Sequence, residues 1–183
     1  MLLEIKKIPL VMLGISWVYL GVIMHRSAKP SRQCAEASKK ANSTLGMIRR
    51  TIVTRDKDTI LRLYKSLVRP QLEYYIQVWS PYLKQDMEKL EKVQRRATKM
   101  ILGYKDLSYE ERLIRCRLTT LEKRRSRGDL IEAYKIITGK ESIQWERFFE
   151  LAPSKGTRGH RYKLFKKRKG TIGQKFFSAR VVD

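Results

Sequence analysis

The segment from Tyr82 to Gly103 separates apolar and basic side chains onto opposite faces of one predicted helix. At about 100° per residue its apolar residues form a single stripe, which holds Leu83, Met87, Leu90, Val93, Ala97 and Ile101. The opposite face holds Lys84, Lys92, Arg95, Arg96 and Lys99. Ser80 and Pro81 predict where the helix begins, and Gly103 predicts its exit. A helix of this kind needs a core beneath it and leaves a cationic surface outside.

The positive charge of the whole chain is larger than helix dipoles require. The 183 residues contain 41 Lys and Arg against 18 Asp and Glu, a formal net charge of +23 with a pI near 10.3. Early acids and late bases in the helix match its dipole, as on an ordinary solvated helix. That interpretation explains the order of the charges but not their excess. The excess favours an anionic partner, either a nucleic acid or an anionic membrane surface.

Two earlier segments repeat this division into apolar and basic faces. The first predicted helix begins at Pro30 and Ser31 and runs to about Arg50, and a second follows a break at 51–54. Their apolar stripes hold Cys34, Ala37, Ala41, Leu45 and Ile48, then Ile60, Leu61, Tyr64, Leu67 and Val68. Their basic faces include Arg32, Lys39 and Arg50, then Arg62, Lys65 and Arg69. Three successive helices of this kind predict one core with cations around it.

The second helix is followed by an aromatic and β-branched segment, Leu72 to Trp79. Pro70 is expected to disturb or end the helix before it. We expect the segment to be core in either conformation. Tyr74, Tyr75 and Trp79 are of the type that stacks on bases, but packing is the favoured interpretation.

Two capping boxes predict the next helices. Ser108 with Glu111 opens a short helix, and Thr119 with Glu122 opens a longer one that ends near Gly139. In the longer helix Arg124 and Arg127 are predicted on the same side as Ile131, Tyr134 and Ile137. Two interpretations stay open for these arginines: pairing with Asp129 or Glu132, or contact with phosphate.

From Ser154 onward the chain becomes basic and glycine-rich. It is predicted to be a partly extended arm, with short strands at Tyr162 to Phe165 and Lys175 to Phe177. The cluster from Lys166 to Lys169 fits a nuclear-import signal as well as any basic cluster does.

The chain begins with a different kind of segment, an uncharged run from Ile8 to Met24. A spanning helix needs about 20 apolar residues, and this shorter run contains Pro9, Gly14 and Gly21. Three interpretations stay open: membrane insertion, a buried strand, or a displaced leader.

Cysteine and histidine usage indicates neither a metal site nor a catalytic site. Cys34 and Cys116 are far apart, with no Cys-x-x-Cys pair, and His25 and His160 are isolated. We therefore expect no disulfide, a reducing compartment, no cofactor, no metal and no small-molecule substrate.

Several blocks in order resemble one family of polymerases. They are KPSRQCAEASKKANSTLGMI, LYKSLVRPQLEYYIQVWSPYLKQDMEKLEKVQRRATKMI, LSYEERL, TTLEKRRSRGDLIEAYKIITGKE, and FFEL followed by TRGHRYKLFKKR. Together they resemble the region after the polymerase palm in LINE-type (jockey-like) non-LTR retrotransposon reverse transcriptases, over roughly Tyr19 to Asp183.

The resemblance implies a helical thumb and the connection after it, which hold template and primer near the active site. The family's catalytic aspartates lie upstream in the palm, and no Asp-Asp pair occurs here, so it implies a chain that does not polymerise by itself. Tyr19 to Val22 looks like the last palm strand, and Met1 to Trp17 is interpreted as a replaced leader on a truncated copy. Cys116, Arg117 and Leu118 depart from the family's hydrophobic-Gly step.

The predicted fold is mostly α: a leader at 1–24, a helical thumb-like bundle at 25–150 and a basic arm at 151–183. The predicted function is non-specific binding of RNA or DNA through phosphates, by a protein that is not an enzyme and is nuclear or cytoplasmic. The predicted contacts are Lys39, Lys40, Arg62, Lys65, Lys92, Arg95, Arg96, Lys99, Arg124 and Arg127. Two alternatives stay open: a membrane-anchored protein held by Ile8 to Met24, and a translated relic with no selected function.

Overall fold

The computed structural model describes residues 11–13, 16–153, 162–166, 170 and 173–182. The chain is mostly helical, as predicted. It divides into two compact units, Met1–Leu121 and Glu122–Asp183. The sequence instead suggested divisions after residues 24 and 150.

The first unit is built from α1 (Ser31–Thr51), α2 (Lys57–Leu63), α3 (Arg69–Glu73), α4 (Ile76–Trp79), α5 (Lys84–Lys99) and α6 (Tyr109–Cys116). The α1 bounds agree with the prediction. The predicted start of α5 is wrong, because the helix begins at Lys84 after an extended Leu83, with no side-chain cap from Ser80. Gly103 has a φ of +74°, which suits the exit predicted there.

The predicted effect of Pro70 is a disturbance and not an end: the helix is distorted just before the proline and continues through it. A π-helical turn, Tyr64–Val68, joins α2 to α3. The Arg69 N–H donates to the Tyr64 carbonyl, which is five residues back rather than four. Proline has no N–H, and its ring crowds the carbonyl four residues before it. The wider turn just before Pro70 relieves that crowding, so the chain bypasses the proline without ending the helix.

The core of the first unit lies between α1, α2 and α5. Its side chains of under 2% exposure include Cys34, Ala41, Tyr64, Val68, Leu72, Leu90, Val93, Ala97 and Leu121. The core prediction for Leu72 to Trp79 is right only in part, because Tyr74, Tyr75 and Val78 are about half exposed. Tyr75 has a φ of +51°, and this left-handed residue turns the chain between α3 and α4.

Buried polar groups join the elements around α5. The Gln94 amide nitrogen donates to the Thr119 carbonyl at 3.0 Å and to the Tyr109 hydroxyl at 2.9 Å. Its oxygen accepts from the Tyr64 hydroxyl at 2.7 Å. Glu91 accepts from the Tyr109 hydroxyl and from the Leu121 N–H. Burial raises the pKa of both tyrosines, so they stay neutral donors in this network.

The apolar segment near the start forms a small antiparallel sheet of β1 (Val11–Leu13), β2 (Ser16–Tyr19) and β3 (Val22–His25), in that order. Leu20 and Gly21 join β2 to β3 with φ of +49° and +77°, the signature of a tight two-residue hairpin turn. The Ile23 N–H donates to Gln33 of α1 at 2.8 Å. The strand interpretation therefore holds for the described part of 8–24. Among the described residues, no helix is long and apolar enough to cross a bilayer.

The second unit is organised around α7 (Leu121–Ile137), whose residues from Glu122 onward belong to it. In the described part of this unit the buried apolar residues are Ala133, Ile136 and Phe149, with Ile137, Trp145, Leu164 and Phe177 packed against them. Ile131 and Tyr134, which were predicted on the same side as Arg124 and Arg127, are about half exposed.

The described parts of the predicted arm differ from an extended tail. Leu164 pairs with Leu151 in a single antiparallel bridge, which fits the predicted strand at 162–165 only in part. The predicted strand at 175–177 is wrong, because a 3-10 turn, Gly173–Lys175, leads into the short helix α8 (Phe177–Arg180). Phe177 packs edge-on against Phe149, so burial of this ring favours a helical turn. Lys167, Arg168 and Lys169 of the basic cluster lie outside the described residues.

Candidate nucleic-acid interface

Helices α1 and α5 pack side by side and run parallel. At their N-terminal ends the Ser31 hydroxyl donates to the buried Asp86 carboxylate at 2.5 Å. Further along, Arg96 Nη1 donates to Asn42 Oδ1 at 2.8 Å. The sequence separations of these pairs, 55 and 54, are almost equal, so the two helices keep one register. Between these two contacts, positions on the facing sides of α1 therefore lie beside positions about 54 residues later on α5.

This register brings four predicted cations together. On α1, Lys39 lies one turn before Asn42 and on the same side. On α5, Lys92 and Lys99 lie one turn before and one turn after Arg96. All four side chains are exposed. We call the set of Lys39, Lys92, Arg96 and Lys99 the α1–α5 basic face.

Within the part of the chain that is described, no carboxylate pairs with this face. The partner of Arg96 is the neutral amide of Asn42, which holds the guanidinium without cancelling its charge. Helix C-termini favour cations, and Lys99 stands in the last turn of α5. That effect explains Lys99 but not Lys39 or Lys92, which lie in the middle of their helices.

Lys40 and Arg95 were predicted with this group but lie apart from it. Lys40 precedes Thr44 by one turn, on the side of α1 where Thr44 accepts a hydrogen bond from Gln71 of α3 at 2.8 Å. Arg95 Nη1 pairs with Glu88 at 2.8 Å, and its guanidinium lies 4.8 Å from the centre of the Tyr109 ring. Arg95 therefore turns toward α6, and a phosphate would have to compete with Glu88 for it.

Arg62 and Lys65 are exposed, and Lys65 belongs to a second group of cations. Burial raises the pKa of the Cys116 thiol, while the positive charges of Lys57, Arg112 and Lys65 act in the opposite direction. Three cations from α2, the π-helical turn and α6 thus act electrostatically on one thiol.

Sequence reasoning missed Arg112. The residue is only 7% exposed, although it is charged. It follows the confirmed capping box, in which Ser108 Oγ accepts from the Glu111 N–H and Glu111 accepts from the Ser108 N–H. From the sequence alone, an arginine four residues after the cap is expected to be exposed. Helix α6 is so short that its amphipathic pattern does not indicate the burial of Arg112.

Arg124 and Arg127 lie on α7, where Arg127 is exposed and Arg124 is half-buried. Asp129, one of their two expected partners, is instead held by Arg180, whose Nε and Nη2 donate to its two oxygens at 2.8 and 3.1 Å. The near-parallel pair of bonds is the usual arginine–carboxylate geometry. Whether Arg124 and Arg127 contact phosphate stays a prediction.

The described residues offer few candidates for metal binding or catalysis. Among the described residues, no group of three His, Cys, Asp or Glu side chains could hold a metal ion. Cys34 and Cys116 are buried, and neither forms a disulfide. The His25 ring is engaged locally with Ser27 Oγ at 2.7 Å.

No protein-family model matches this chain, and neither the curated proteins nor the solved structures contain a significant match to it.

Proposed function

We propose that this protein binds RNA or DNA without sequence preference, through phosphate contacts made by the α1–α5 basic face. The observation that supports this proposal best is the parallel register of α1 and α5, which collects exposed, unneutralised cations from two helices. Point charges on long side chains suit phosphates, which are alike at every base pair. The resemblance to the post-palm region of LINE-type reverse transcriptases supports the same kind of partner. On that resemblance the chain is a catalytically incomplete fragment.

The mechanism is counterion release. Each lysine or arginine that neutralises a phosphate displaces a condensed cation, so affinity falls as salt rises. Four contacts predict a slope of about −3 to −4 in a plot of log affinity against log salt concentration. A-form and B-form duplexes both present phosphates, so the basic face alone predicts little preference between RNA and DNA.

The experiment is a fluorescence anisotropy titration of a labelled duplex against the full chain over a series of salt concentrations. The double variant K92Q/K99Q is expected to make the slope shallower by about 2, because two phosphate contacts are lost. The matched control is K29Q/K105Q, which removes the same charge from exposed lysines that lie on neither helix. Affinity that is indifferent to salt contradicts the proposal. An equal loss in both double variants would assign the binding to net charge and not to this face.

A further inference from the structure

Two neighbouring aromatic rings are exposed where α3 ends. Tyr74 and Tyr75 are 50% and 46% exposed, although the same segment supplies Leu72 and Trp79 to the core. Tyr75 has a left-handed backbone, with a φ of +51°, which bulky residues rarely adopt. Glycine or asparagine would make this turn at lower cost. The turn alone therefore does not explain a tyrosine at this position.

The hairpin between β2 and β3 holds one of these rings in place. The Tyr74 hydroxyl donates to the Leu20 carbonyl at 3.1 Å, and a Cβ added at Gly21 would lie 3.9 Å from the Tyr74 ring. The Tyr74 and Tyr75 rings meet edge to face, with their centres 5.1 Å apart and their planes at 61°. Rings at this angle cannot both stack on parallel bases. Because Tyr74 is tied to the hairpin, Tyr75 is the ring better placed to receive a base.

A cation lies on the same side of α1 as the two rings. The short connection at 52–56 reverses the chain, so the run from α2 to α3 returns antiparallel along α1. Gln71 of α3 donates to Thr44 of α1 at 2.8 Å, which fixes the alignment of the two helices. Lys40 is one turn back from Thr44, and Tyr74 is one turn on from Gln71. The exposed Lys40 therefore lies beside the end of α3 that carries the rings.

The rings and the α1–α5 basic face lie on the two flanks of α1. Asn42 faces α5 and Thr44 faces α3, and these residues are about 200° apart around the helix. The exposed surface between the flanks includes Lys39, which belongs to the basic face, and Lys40, which follows it. The rings are therefore separated from the basic face by about 10 Å, the width of one helix. One strand can cross that distance and contact both.

This surface suits an unpaired base better than a protein partner. Proteins hold single strands by stacking bases on aromatic rings and neutralising the phosphates with cations. A duplex keeps its bases stacked on one another, so their faces are closed to a tyrosine. Val78, Leu67 and Met47 are also about half exposed. Even with them, the exposed apolar surface stays below the roughly 800 Å² that each partner buries in a stable protein complex.

We propose that Tyr75 stacks on a base of a single-stranded nucleic acid, whose phosphates are held by Lys40 and the α1–α5 basic face. This inference rests on the proposed function and deepens it, because it makes single strands the preferred ligand. Tyr74 is a positioning residue that supports the Tyr75 ring. Every base has a flat face, so stacking agrees with binding that has no sequence preference.

The test measures the affinity of the full chain for labelled oligo(dT) and for the oligo(dT)·oligo(dA) duplex of the same length, by fluorescence anisotropy. The wild type is expected to bind the single strand more tightly. Y75A should weaken single-strand binding about tenfold and leave the salt slope unchanged, because it removes a ring and no charge. Y75F keeps the ring and should bind as the wild type does. The matched control Y134A removes a tyrosine of α7 that is 55% exposed and should not change the affinity.

A change in the ligand tests the same contact without changing the protein. A strand of abasic sugars of the same length keeps the phosphates and lacks the bases. The wild type should bind it about tenfold more weakly than oligo(dT), whereas Y75A should bind the two strands alike. The wild-type comparison decides the question even if Y75A does not fold.

The outcomes separate this inference from the proposed function. Salt-dependent binding that is equal for oligo(dT) and the abasic strand overturns the inference and leaves the proposed function standing. Tighter binding of the duplex than of the single strand also overturns it. If Y75A keeps its affinity for the strand but loses a self-association that sedimentation detects in the wild type, the rings form a contact between copies and the inference is wrong. No binding of either nucleic acid overturns both proposals.

Discussion

The two units of this protein differ in what holds each of them together. The first unit encloses a continuous apolar core that reaches from Val22 on β3 to Leu121. In the described part of the second unit, Ala133, Ile136 and Phe149 are the deeply buried apolar residues, and the rest of the cluster is partly exposed. A small unit that buries little apolar surface is marginal in stability. We therefore expect the first unit to govern cooperative unfolding and the second to open more easily.

The units also arrange their buried polar contacts differently. In the first, the Gln94 amide meets partners from several elements, beside the Glu91 carboxylate. In the second, Asp129 is held by Arg180, a residue 51 positions away. A buried charge that loses its partner is costly, as is a buried amide that leaves several groups unmet. Both units should therefore be sensitive to the loss of one buried polar side chain.

The largest loss of stability is expected from a truncation in the core of the first unit. L90A removes a fully buried side chain of α5 and should lower the free energy of unfolding by about 4 kcal/mol, from lost burial and the cavity left behind. Urea unfolding followed by circular dichroism measures it. The control I114A truncates a side chain that is 76% exposed and should change stability by less than about 0.5 kcal/mol. Equal effects would mean that the first unit has no sealed core.

Loss of the buried Gln94 amide is expected to lower the free energy of unfolding slightly less than L90A does. Q94L leaves the Tyr64 hydroxyl and the Thr119 carbonyl without their partner and should cost about 3 kcal/mol. The double variant Q94L/Y64F removes an unmet hydroxyl, so it should be more stable than Q94L alone. If the second change made the protein still less stable by its full single-variant cost, Tyr64 and Gln94 would be energetically independent.

In the second unit, the corresponding test removes the ion pair between Asp129 and Arg180. R180M leaves the Asp129 carboxylate, 7% exposed, without its partner and should destabilise this unit by about 2 kcal/mol. Amide hydrogen exchange along α7 measures the effect locally, and exchange along α1 should be unchanged. K175M is the matched control, because it removes an exposed charge near the same end of the chain. Faster exchange in α1 as well would contradict the separation of the two units.

The smallest effect concerns the capping box of α6. Hydrogen bonds from Ser108 lower the pKa of the Glu111 carboxyl below its usual 4.5. The stabilisation is therefore present above that usual value and is lost as the pH falls through the lower, folded value. E111Q should destabilise the protein near neutral pH and have little effect at about pH 2.5. In an S108A background the pH dependence of the E111Q effect should shrink, and an unchanged dependence would exclude Ser108 as its cause.

The sequence predicted local features well. The stripe from Cys34 to Ile48 predicted α1 because its helical spacing repeats over many turns. The Ser108–Glu111 capping box predicted the start of α6 because both of its residues lie within four positions. The exposure of Lys92, Arg96 and Lys99 was predicted because they lie on the face of α5 opposite its apolar stripe. Such features depend on near neighbours in the chain, which the sequence displays directly.

The missed features depend on partners far away in sequence. Arg95 was predicted to be free, yet Tyr109 and Glu88 engage it, and the burial of Arg112 becomes apparent only once α6 is packed. Asp129 had acceptable partners within one turn, so nothing in the sequence favoured Arg180. At Pro70 the predicted disturbance is present as the π-helical turn, but the helix does not end there, and Val68 and Leu72 on either side of the proline are buried. Tertiary burial decided each of these cases.

The parallel course of α1 and α5 also bears on how the first unit assembles. Two parallel helices cannot close as a hairpin, so the chain between Ile52 and Leu83 has to return along the pair before α5 can begin. The contacts that align Lys39 with Lys92 and Arg96 are thus of high contact order and form late in folding. During synthesis we therefore expect α1 to pack first against α3 and the π-helical turn, and to complete its core only after α5 has left the ribosome.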